Sequence, residues 1–270
     1  MKIGLLFCAY GIPEYIEQSI NPWIKAKEKF DIKIAAVHGQ FKENHDLGYE
    51  DNDLETQQKL LDRLASKELD FVYRQNEYNN EKKYGSEAQI RNKGLQFLLN
   101  ESVDCILLWD LDEVITEQEI SNLIDYLKKD EFIAWYKIEY KNLTFNRKTY
   151  TKGFSPPRAF KTNYGCGYKL KEMIYDNDVS YITVDGQIIH YQQLPSQKIG
   201  THVLNPLHYT WCDYERAKQK IEYQNKHFGH YAGCSFKINE KEQRIEFNES
   251  YYRKTNEMLP ELYYLEQLDK

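Results

Sequence analysis

The sequence predicts an α/β protein with a doubly wound, mostly parallel central sheet. Up to residue 130, short apolar segments alternate with longer segments whose apolar residues recur at helical spacing. This order favours parallel strands with helices on both faces. A second observation agrees with it. The apolar segment 105–109 ends abruptly in carboxylates, and ligands bind at the carboxyl ends of strands in open α/β sheets.

The elements of the first half each have a local signal. Strands are predicted where short apolar runs lie between polar residues, at 2–9, 32–37, 71–73 and 105–110. Helices are predicted from Pro13 towards residue 30 with a bend before Pro22, and at 55–69, 87–99 and 117–129.

The second half is aromatic and rich in short strand candidates. One long alternating strand is predicted at 132–145, and shorter ones at 158–161, 180–184 and 187–191. Thr210-x-x-Asp213 resembles a capping box before a helix to residue 228, and a last helix is predicted at 250–268 with a break at Pro260. Because no linker composition separates the halves, we predict a single domain over residues 1–270 that changes character near residue 130.

The bulk composition argues against several classes of protein. A net charge of −6 and a pI near 5.7 disfavour a nucleic-acid partner. No apolar run approaches the ~20 residues that span a bilayer, and the amino terminus lacks a signal-peptide cleavage site. The five cysteines form no CxxC pair. The sequence therefore predicts a cytoplasmic protein with no zinc site, disulfide framework or transmembrane segment.

Asp110, Asp112 and Glu113 are the candidate functional residues with the clearest physical argument. Asp110 and Asp112 are two positions apart, so an extended backbone points both to the same side. Crowded carboxylates repel one another unless a cation lies among them. Mg²⁺ or Mn²⁺, held by oxygen ligands and shared with a phosphate, meets that need. The alternative is an acidic helix start without a metal.

Four segments follow one another in a recognisable order. They are the opening strand end and loop at 9–16, the Arg-Asn-x-Gly-Leu helix at 91–95, the Asp-x-Asp at 110–112, and Pro157-Arg158-Ala159-Phe160-Lys161 followed by Lys171-Glu172. This order resembles GT-A glycosyltransferases of the family-2-like kind. Some members carry His-Glu in the fourth segment, so Lys171 departs from that pattern.

The resemblance implies a GT-A-type fold, with a nucleotide-sugar-binding half at 1–130 and an acceptor half with C-terminal helices at 131–270. It implies a metal-dependent hexosyltransferase that moves a sugar from a UDP- or GDP-sugar to a hydroxyl of a glycan or small molecule, with inversion. The cofactor would be Mn²⁺ or Mg²⁺, because a metal stabilises the departing diphosphate as a Lewis acid.

The resemblance also implies roles at the nucleotide. Asp112 is expected to ligate the metal directly, and Asp110 to hold the ribose or a metal-bound water. Ala9 and Tyr10 are expected to contact the base through their backbone groups. Arg91 is expected either to contact the diphosphate or to brace the carboxylates.

Further candidates come from the second half. Inversion requires a base for the acceptor hydroxyl, and Glu172 is the candidate, with Asp176 and Asp178 as competitors. A retaining enzyme requires no such base, so the assignment of Glu172 holds only for inversion.

Cationic and imidazole side chains supply the remaining candidates. His208 precedes a predicted helix, where many GT-A enzymes place a histidine that completes the metal site, and His190 is a weaker candidate for the same role. Arg158 and Lys169 are candidates for a phosphate contact.

Three alternative functions share the paired carboxylates. Asp110-Leu111-Asp112-Glu113-Val114 also fits the motif of haloacid-dehalogenase-like phosphatases, in which Asp110 would be the nucleophile and Asp112 an acid or base. That motif normally lies on the first strand, whereas three predicted strands precede it here. A nucleotidyltransferase would need a Gly-rich phosphate loop near the amino terminus, which the sequence lacks. A sugar-binding protein could keep the fold without activity.

Overall fold

The computed structural model groups the chain into two compact units, Met1–Glu139 with Ser155–Asn205 and Tyr140–Phe154 with Pro206–Lys270. The expected single domain over 1–270 stays a prediction. The structure describes residues 1–9, 11, 13–39, 53–74, 86–144, 148–165, 167–175, 178–211, 214–228, 235–255 and 258–265.

The strands and helices are numbered in chain order. The strands are β1 (Ile3–Ala9), β2 (Ile32–His38), β3 (Phe71–Arg74), β4 (Cys105–Asp110), β5 (Glu113–Val114), β6 (Trp135–Ile138), β7 (Lys141–Thr144), β8 (Thr149–Thr151), β9 (Pro157–Lys161), β10 (Asn163–Tyr164), β11 (Tyr168–Tyr175), β12 (Asp178–Ile182), β13 (Ile188–His190), β14 (Ser196–Ile199), β15 (Leu207–Trp211), β16 (Phe236–Asn239), β17 (Arg244–Phe247) and β18 (Tyr263–Tyr264). The helices are α1 (Ile16–Lys27), α2 (Leu54–Ala65), α3 (Glu87–Asn100), α4 (Glu117–Lys129), α5 (Tyr214–Phe228) and α6 (Glu249–Thr255).

A seven-stranded, mainly parallel sheet forms the centre of the first unit, in the order β14-β6-β9-β4-β1-β2-β3. β1 pairs in parallel with β2 and β4, β2 with β3, and β14 with β6. β9 is antiparallel to both of its neighbours, β4 and β6. The predicted mainly parallel α/β architecture is therefore confirmed, with one inserted antiparallel strand.

Helices cover both faces of this sheet. Leu108 of β4 packs in a buried cluster with Leu95 and Leu98 of α3. The ring of the next residue, Trp109, lies 5.4 Å from the ring of Trp23 on α1, measured between centroids. Because successive side chains of a strand point to opposite faces, α3 and α1 lie on opposite faces. This is the predicted doubly wound arrangement.

α3 and α4 begin at the predicted residues, and a capping box precedes each of them. Ser86 Oγ accepts from the Gln89 N–H while Gln89 Oε1 accepts from the Ser86 N–H, and Thr116 and Glu119 form the same pair of bonds. Each box satisfies two backbone donors that a helix start leaves unpaired. Asp213, a member of the box predicted before α5, lies outside the described residues.

Gly94 lets α3 approach β1 and β2 closely. A Cβ at this position would overlap Leu6 Cδ1 and would lie 3.0 Å from Val37 Cγ1, and both neighbours are fully buried. We therefore expect Gly94→Val to lower the free energy of unfolding by about 3 kcal/mol through overpacking, measured by urea denaturation. Ala65→Val, at an exposed position of α2, is the control and should cost less than about 1 kcal/mol. Equal midpoints for the two variants would contradict the close approach.

A four-stranded antiparallel sheet, β10-β11-β12-β13, completes the first unit. Leu170 and Met173 of β11 and Val179 and Tyr181 of β12 join the buried cluster that α3 covers. β12 and β13 correspond to the strands predicted at 180–184 and 187–191. The sheet is therefore held against α3 by apolar burial.

In the second unit, four strands are hydrogen-bonded in the order β18-β8-β7-β15. β15 is parallel to β7, and β16 and β17 form an antiparallel pair. Ala217 and Ile221 of α5 pack with Trp211 and Ile245 in a small buried cluster. Across the described part of the chain, no helix combines the length and apolar character needed to cross a bilayer.

The single strand predicted at 132–145 is wrong. β6 ends at Ile138 and β7 begins at Lys141, and the two strands belong to different sheets. The chain passes from the first unit to the second after Glu139. Alternating aromatic residues carry no signal for the point at which a strand changes its partners, so the pattern continues through the junction.

The helix predicted at 250–268 is wrong over residues 258–265. α6 ends at Thr255, and Tyr263 and Tyr264 form β18, which pairs with β8. The rings of Tyr263 and Tyr150 stack with centroids 5.5 Å apart. Cross-strand packing therefore overrides the helical spacing, and Pro260 could not continue the helix.

Candidate functional site

The strand order reverses beside β1, at the carboxyl ends of β1 and β4. The chain runs from β1 outwards to β2 and β3, and then adds β4 on the other side of β1. In open α/β sheets, such a switch point is where ligands bind. Cys8 of β1 pairs with Asp110 of β4, so Ala9 and Asp110 end their strands at this edge. The structure thus brings together two of the predicted site residues.

Asp110 lies between two arginines from different elements. Arg91 of α3 donates from Nη2 to Asp110 Oδ1 at 3.0 Å, and Arg158 of β9 donates from Nη2 to Oδ2 at 2.8 Å. Arg91 also donates from Nε to Glu87 Oε1 at 2.8 Å. The side chains of Arg91 and Arg158 are only 4% and 2% exposed. The orientation of the Asp110 carboxylate is therefore set from two sides.

Glu113 stabilises the turn that follows β4. Its Oε2 accepts from the Asp110 N–H at 3.2 Å, and its Oε1 is paired with Arg158. Its backbone carbonyl accepts from Trp109 Nε1 and from Ser19 Oγ, both at 2.9 Å. Glu113 is fully buried, and α4 begins only at residue 117. It is therefore not a solvated helix-start residue.

The electrostatics of Asp110 and Glu113 differ although the two carboxyl groups share Arg158. Burial raises the pKa of Asp110, but Arg158 and Arg91 outweigh that cost and hold the pKa below its ordinary value. Burial also raises the pKa of Glu113, to about 8, because Arg158 only partly opposes it and Asp110 and Asp112 reinforce it. Asp110 is thus kept ionised at neutral pH.

The cluster around Asp110 contains more carboxylate than guanidinium groups. Its members are four carboxylates and two guanidinium groups, on Glu87, Asp110, Asp112, Glu113, Arg91 and Arg158. The carboxylates remain in excess even with a proton on Glu113. No three His, Cys, Asp or Glu side chains are grouped as a metal site in the described ranges. Mg²⁺, however, commonly uses one or two carboxylates with phosphates and water, and the buried Asp112 fits that use.

Arg158 is buried and paired with two carboxylates, and its phosphate contact stays a prediction. Its Nη2 bridges Asp110 and Glu113. Lys169, the other candidate for a phosphate contact, is exposed on β11. The sequence offered no signal for the ion pairs of Arg158, because most basic residues of such a chain are solvated.

A second polar group near the ends of β1 and β2 was missed by sequence reasoning. Asp53 Oδ2 lies 3.2 Å from His38 Nε2 and accepts from the Gly11 N–H, and Asp53 Oδ1 accepts from the Thr56 N–H at 3.3 Å. Burial raises the pKa of Asp53, but the bonds from His38 and Gly11 outweigh it and lower the pKa. The available signal was an aspartate at the N-cap of α2.

The predicted base contacts of the loop after β1 stay predictions. Ala9 is almost fully buried at the end of β1, where only its backbone could meet a ligand. Tyr10 lies outside the described residues.

Glu172 lies on β11 in the four-stranded sheet. Its Oε1 pairs with Lys171 Nζ at 2.9 Å, and its side chain is 44% exposed. Its competitor Asp178 is on β12, where its Oδ2 lies 3.5 Å from His190 Nε2. Asp176 lies outside the described residues. Solvent access suits a base that must meet an acceptor, and the catalytic role of Glu172 stays a prediction.

His208 lies on β15 in the second unit. Its Nδ1 is 2.8 Å from Asn142 Oδ1, and its ring stacks on Phe154 with centroids 4.8 Å apart. An Nδ1–H that donates to an amide oxygen leaves Nε2 as the nitrogen through which a neutral imidazole binds a metal. The metal role of His208 stays a prediction.

Comparisons with known proteins do not assign the chain to a family. No family model and no curated protein matches the sequence. Among solved structures, the chain is similar to S. aureus TarS 1-349, with a TM-score of 0.44 and 14% identity over 90% of this chain and 77% of that chain.

Two other solved structures are similar at lower scores. The complex of the same TarS fragment with UDP-GlcNAc has a TM-score of 0.38 and 14% identity, over 60% of this chain and 45% of that chain. A cytidylyltransferase from Leptospira borgpetersenii has a TM-score of 0.29 and 16% identity, over 60% of each chain. This chain spans 28% of the longer TarS chain. Scores this low establish neither a shared fold nor a shared function.

Proposed function

We propose that this protein is a metal-dependent GT-A-type glycosyltransferase that moves a sugar from a UDP- or GDP-sugar to a hydroxyl of a glycan or small molecule. The observation that carries the proposal is the pair Asp110 and Asp112 at the switch point between β1 and β4, where Arg91 orients Asp110. The sequence order of the Arg-Asn-x-Gly-Leu helix and the Asp-x-Asp strand supports the same proposal.

Each residue of the site has a part in donor binding. Asp112 is the ligand for Mn²⁺ or Mg²⁺, and a metal role of His208 stays a prediction. The bound ion would supply Lewis-acid stabilisation of the departing diphosphate. Asp110, held ionised between Arg91 and Arg158, accepts from the ribose hydroxyls. The backbone at Ala9, the end of β1, contacts the base.

Glu172 takes the proton of the acceptor hydroxyl in an inverting transfer. Its exposure allows an acceptor to approach, and its Oε1 lies 2.9 Å from Lys171 Nζ. The phosphatase alternative has less support, because both oxygens of Asp110 accept guanidinium bonds and a nucleophile must direct an oxygen at phosphorus.

A thermal-shift panel tests the proposal. UDP, GDP, CMP and their sugars are each added with Mn²⁺, with Mg²⁺ or with EDTA. A ligand at a hundredfold excess over its Kd stabilises the native state by ~2.7 kcal/mol, so one nucleotide class should raise the melting temperature only with a metal. The matching nucleotide sugar should then release its nucleoside diphosphate when acceptor is added. No shift with any nucleotide, together with hydrolysis of phosphate esters, would replace the proposal by the phosphatase.

A further inference from the structure

Two irregularities in β11 bracket Glu172. In the pairing of β11 with β12, Glu172 faces Ser180 and Met173 faces Val179, while the register skips Lys171 and Ile174. Each skipped residue is an extra residue in one strand, which bends that strand and turns its side chains. β10, on the other edge of β11, reaches only to Lys169. β12 therefore pairs with the backbone at Glu172 on one edge, and among the described residues no strand pairs with it on the other edge.

α3 supplies the missing partner on the other edge. Asn92 Nδ2 donates to the Met173 carbonyl at 2.9 Å, and the Met173 N–H donates to Asn92 Oδ1 at 2.8 Å. One turn later, Gln96 Nε2 donates to the Lys171 carbonyl at 3.2 Å. The carboxamide of Asn92 thus acts as a peptide group would in a strand pair. The residues on both sides of Glu172 are bound to one helix.

The same helix also carries Arg91, which binds Asp110 at 3.0 Å. Arg91 and Asn92 are adjacent in sequence. One turn of α3 therefore contacts both Asp110, at the proposed donor site, and β11, which carries Glu172. A displacement of about 1 Å in a reacting group can cost 10²-fold in rate. A single helical turn is therefore able to fix the distance between the donor site at Asp110 and the base Glu172.

We propose that Asn92 is a positioning residue that holds Glu172 in register with the donor site through the Met173 backbone. The inference rests on the proposed function, because it assumes that Glu172 is the base. It concerns the acceptor step alone, because Asn92 Nδ2 and Oδ1 both bond to the backbone of Met173 on β11.

Asn92→Asp tests this role with the smallest possible change. The substitution preserves shape and the acceptor for the Met173 N–H, but it places an oxygen against the Met173 carbonyl. We expect kcat for sugar transfer to fall about tenfold or more, while the metal-dependent thermal shift with the donor nucleotide stays the same. Asn122→Asp is the matched control, because Asn122 Nδ2 donates to the Val203 carbonyl at 3.2 Å in another part of the first unit. Its kcat should stay within twofold of wild type.

A Glu172→Gln background separates positioning from general destabilisation. If Asn92 acts through Glu172, Asn92→Asp should cause no further loss of kcat in that background, whereas a merely structural role would add its full loss. An additive loss, or a single variant within twofold of wild type, would overturn the proposal. Absence of transfer by the wild-type protein with every nucleotide sugar would instead overturn the proposed function, and with it this role.

Discussion

Arg158→Met is expected to lower the free energy of unfolding by about 3–5 kcal/mol. The side chain of Arg158 is 2% exposed, and it binds Asp110 at 2.8 Å and Glu113. Methionine fills much of the volume but leaves the two carboxyl groups without that cation where water has little access. Urea denaturation followed by tryptophan fluorescence gives the midpoint and the slope, and an unchanged slope identifies a loss of stability.

The same substitution at a solvated arginine provides the control for Arg158→Met. Arg253 pairs with Glu249 at 3.0 Å, but its side chain is 81% exposed, and such pairs contribute less than about 1 kcal/mol. Glu113→Gln should relieve part of the damage, so the double variant Arg158→Met/Glu113→Gln is expected to lose less stability than the two single variants combined. A midpoint for Arg158→Met equal to that of Arg253→Met would show that the carboxylates do not depend on the buried cation.

Asp112→Asn is expected to remove metal-dependent nucleotide binding and to lower kcat/KM for sugar transfer by at least about 10²-fold. The amide preserves the shape of the buried side chain but carries no charge, so it is a poor ligand for a hard divalent ion. Isothermal titration with Mn²⁺ and the donor nucleotide measures binding, and release of the nucleoside diphosphate measures transfer. Excess Mn²⁺ should recover part of the activity if affinity for the ion is what was lost.

Asp125→Asn is the matched control for Asp112→Asn. Asp125 lies on α4 with a side chain that is 64% exposed, in an ion pair with Lys128, so its amide variant should keep wild-type binding and rate. A variant Asp112→Asn that retains more than about a tenth of wild-type kcat/KM would exclude Asp112 as the metal ligand. Loss of phosphate-ester hydrolysis in that variant, without any nucleotide binding by the wild type, would favour the phosphatase instead.

Local signals predicted most of the first half of the fold. β4 could be recognised because an apolar run ends in carboxylates, and α4 because its apolar residues recur at helical spacing. These signals lie within one strand or one helical turn, so no distant part of the chain is needed to interpret them. The alternation of these elements predicted the parallel sheet, whereas the switch point beside β1 is known only from the strand order of the structure.

Long-range pairing decided what local signals could not. The segment 158–161 was predicted to be a strand, but its insertion between β4 and β6 and its antiparallel direction depend on partners far away in the sequence. The strand at Tyr263–Tyr264 likewise depends on its pairing with β8. Short apolar or aromatic segments fit several partners equally well, and only the assembled sheet selects one.

The candidate site likewise combines residues that the sequence suggested with contacts that only the folded chain makes. Asp110, Asp112 and Arg91 could be named as candidates from the sequence, because strand ends and motif order indicate where a ligand is expected to bind. Only the tertiary structure joined Arg158 to Asp110 and Asn92 to Met173. A buried ion pair, or a hydrogen bond from a side chain to a distant backbone group, leaves no periodic pattern in the sequence. Both depend on burial that exists only once distant strands have come together.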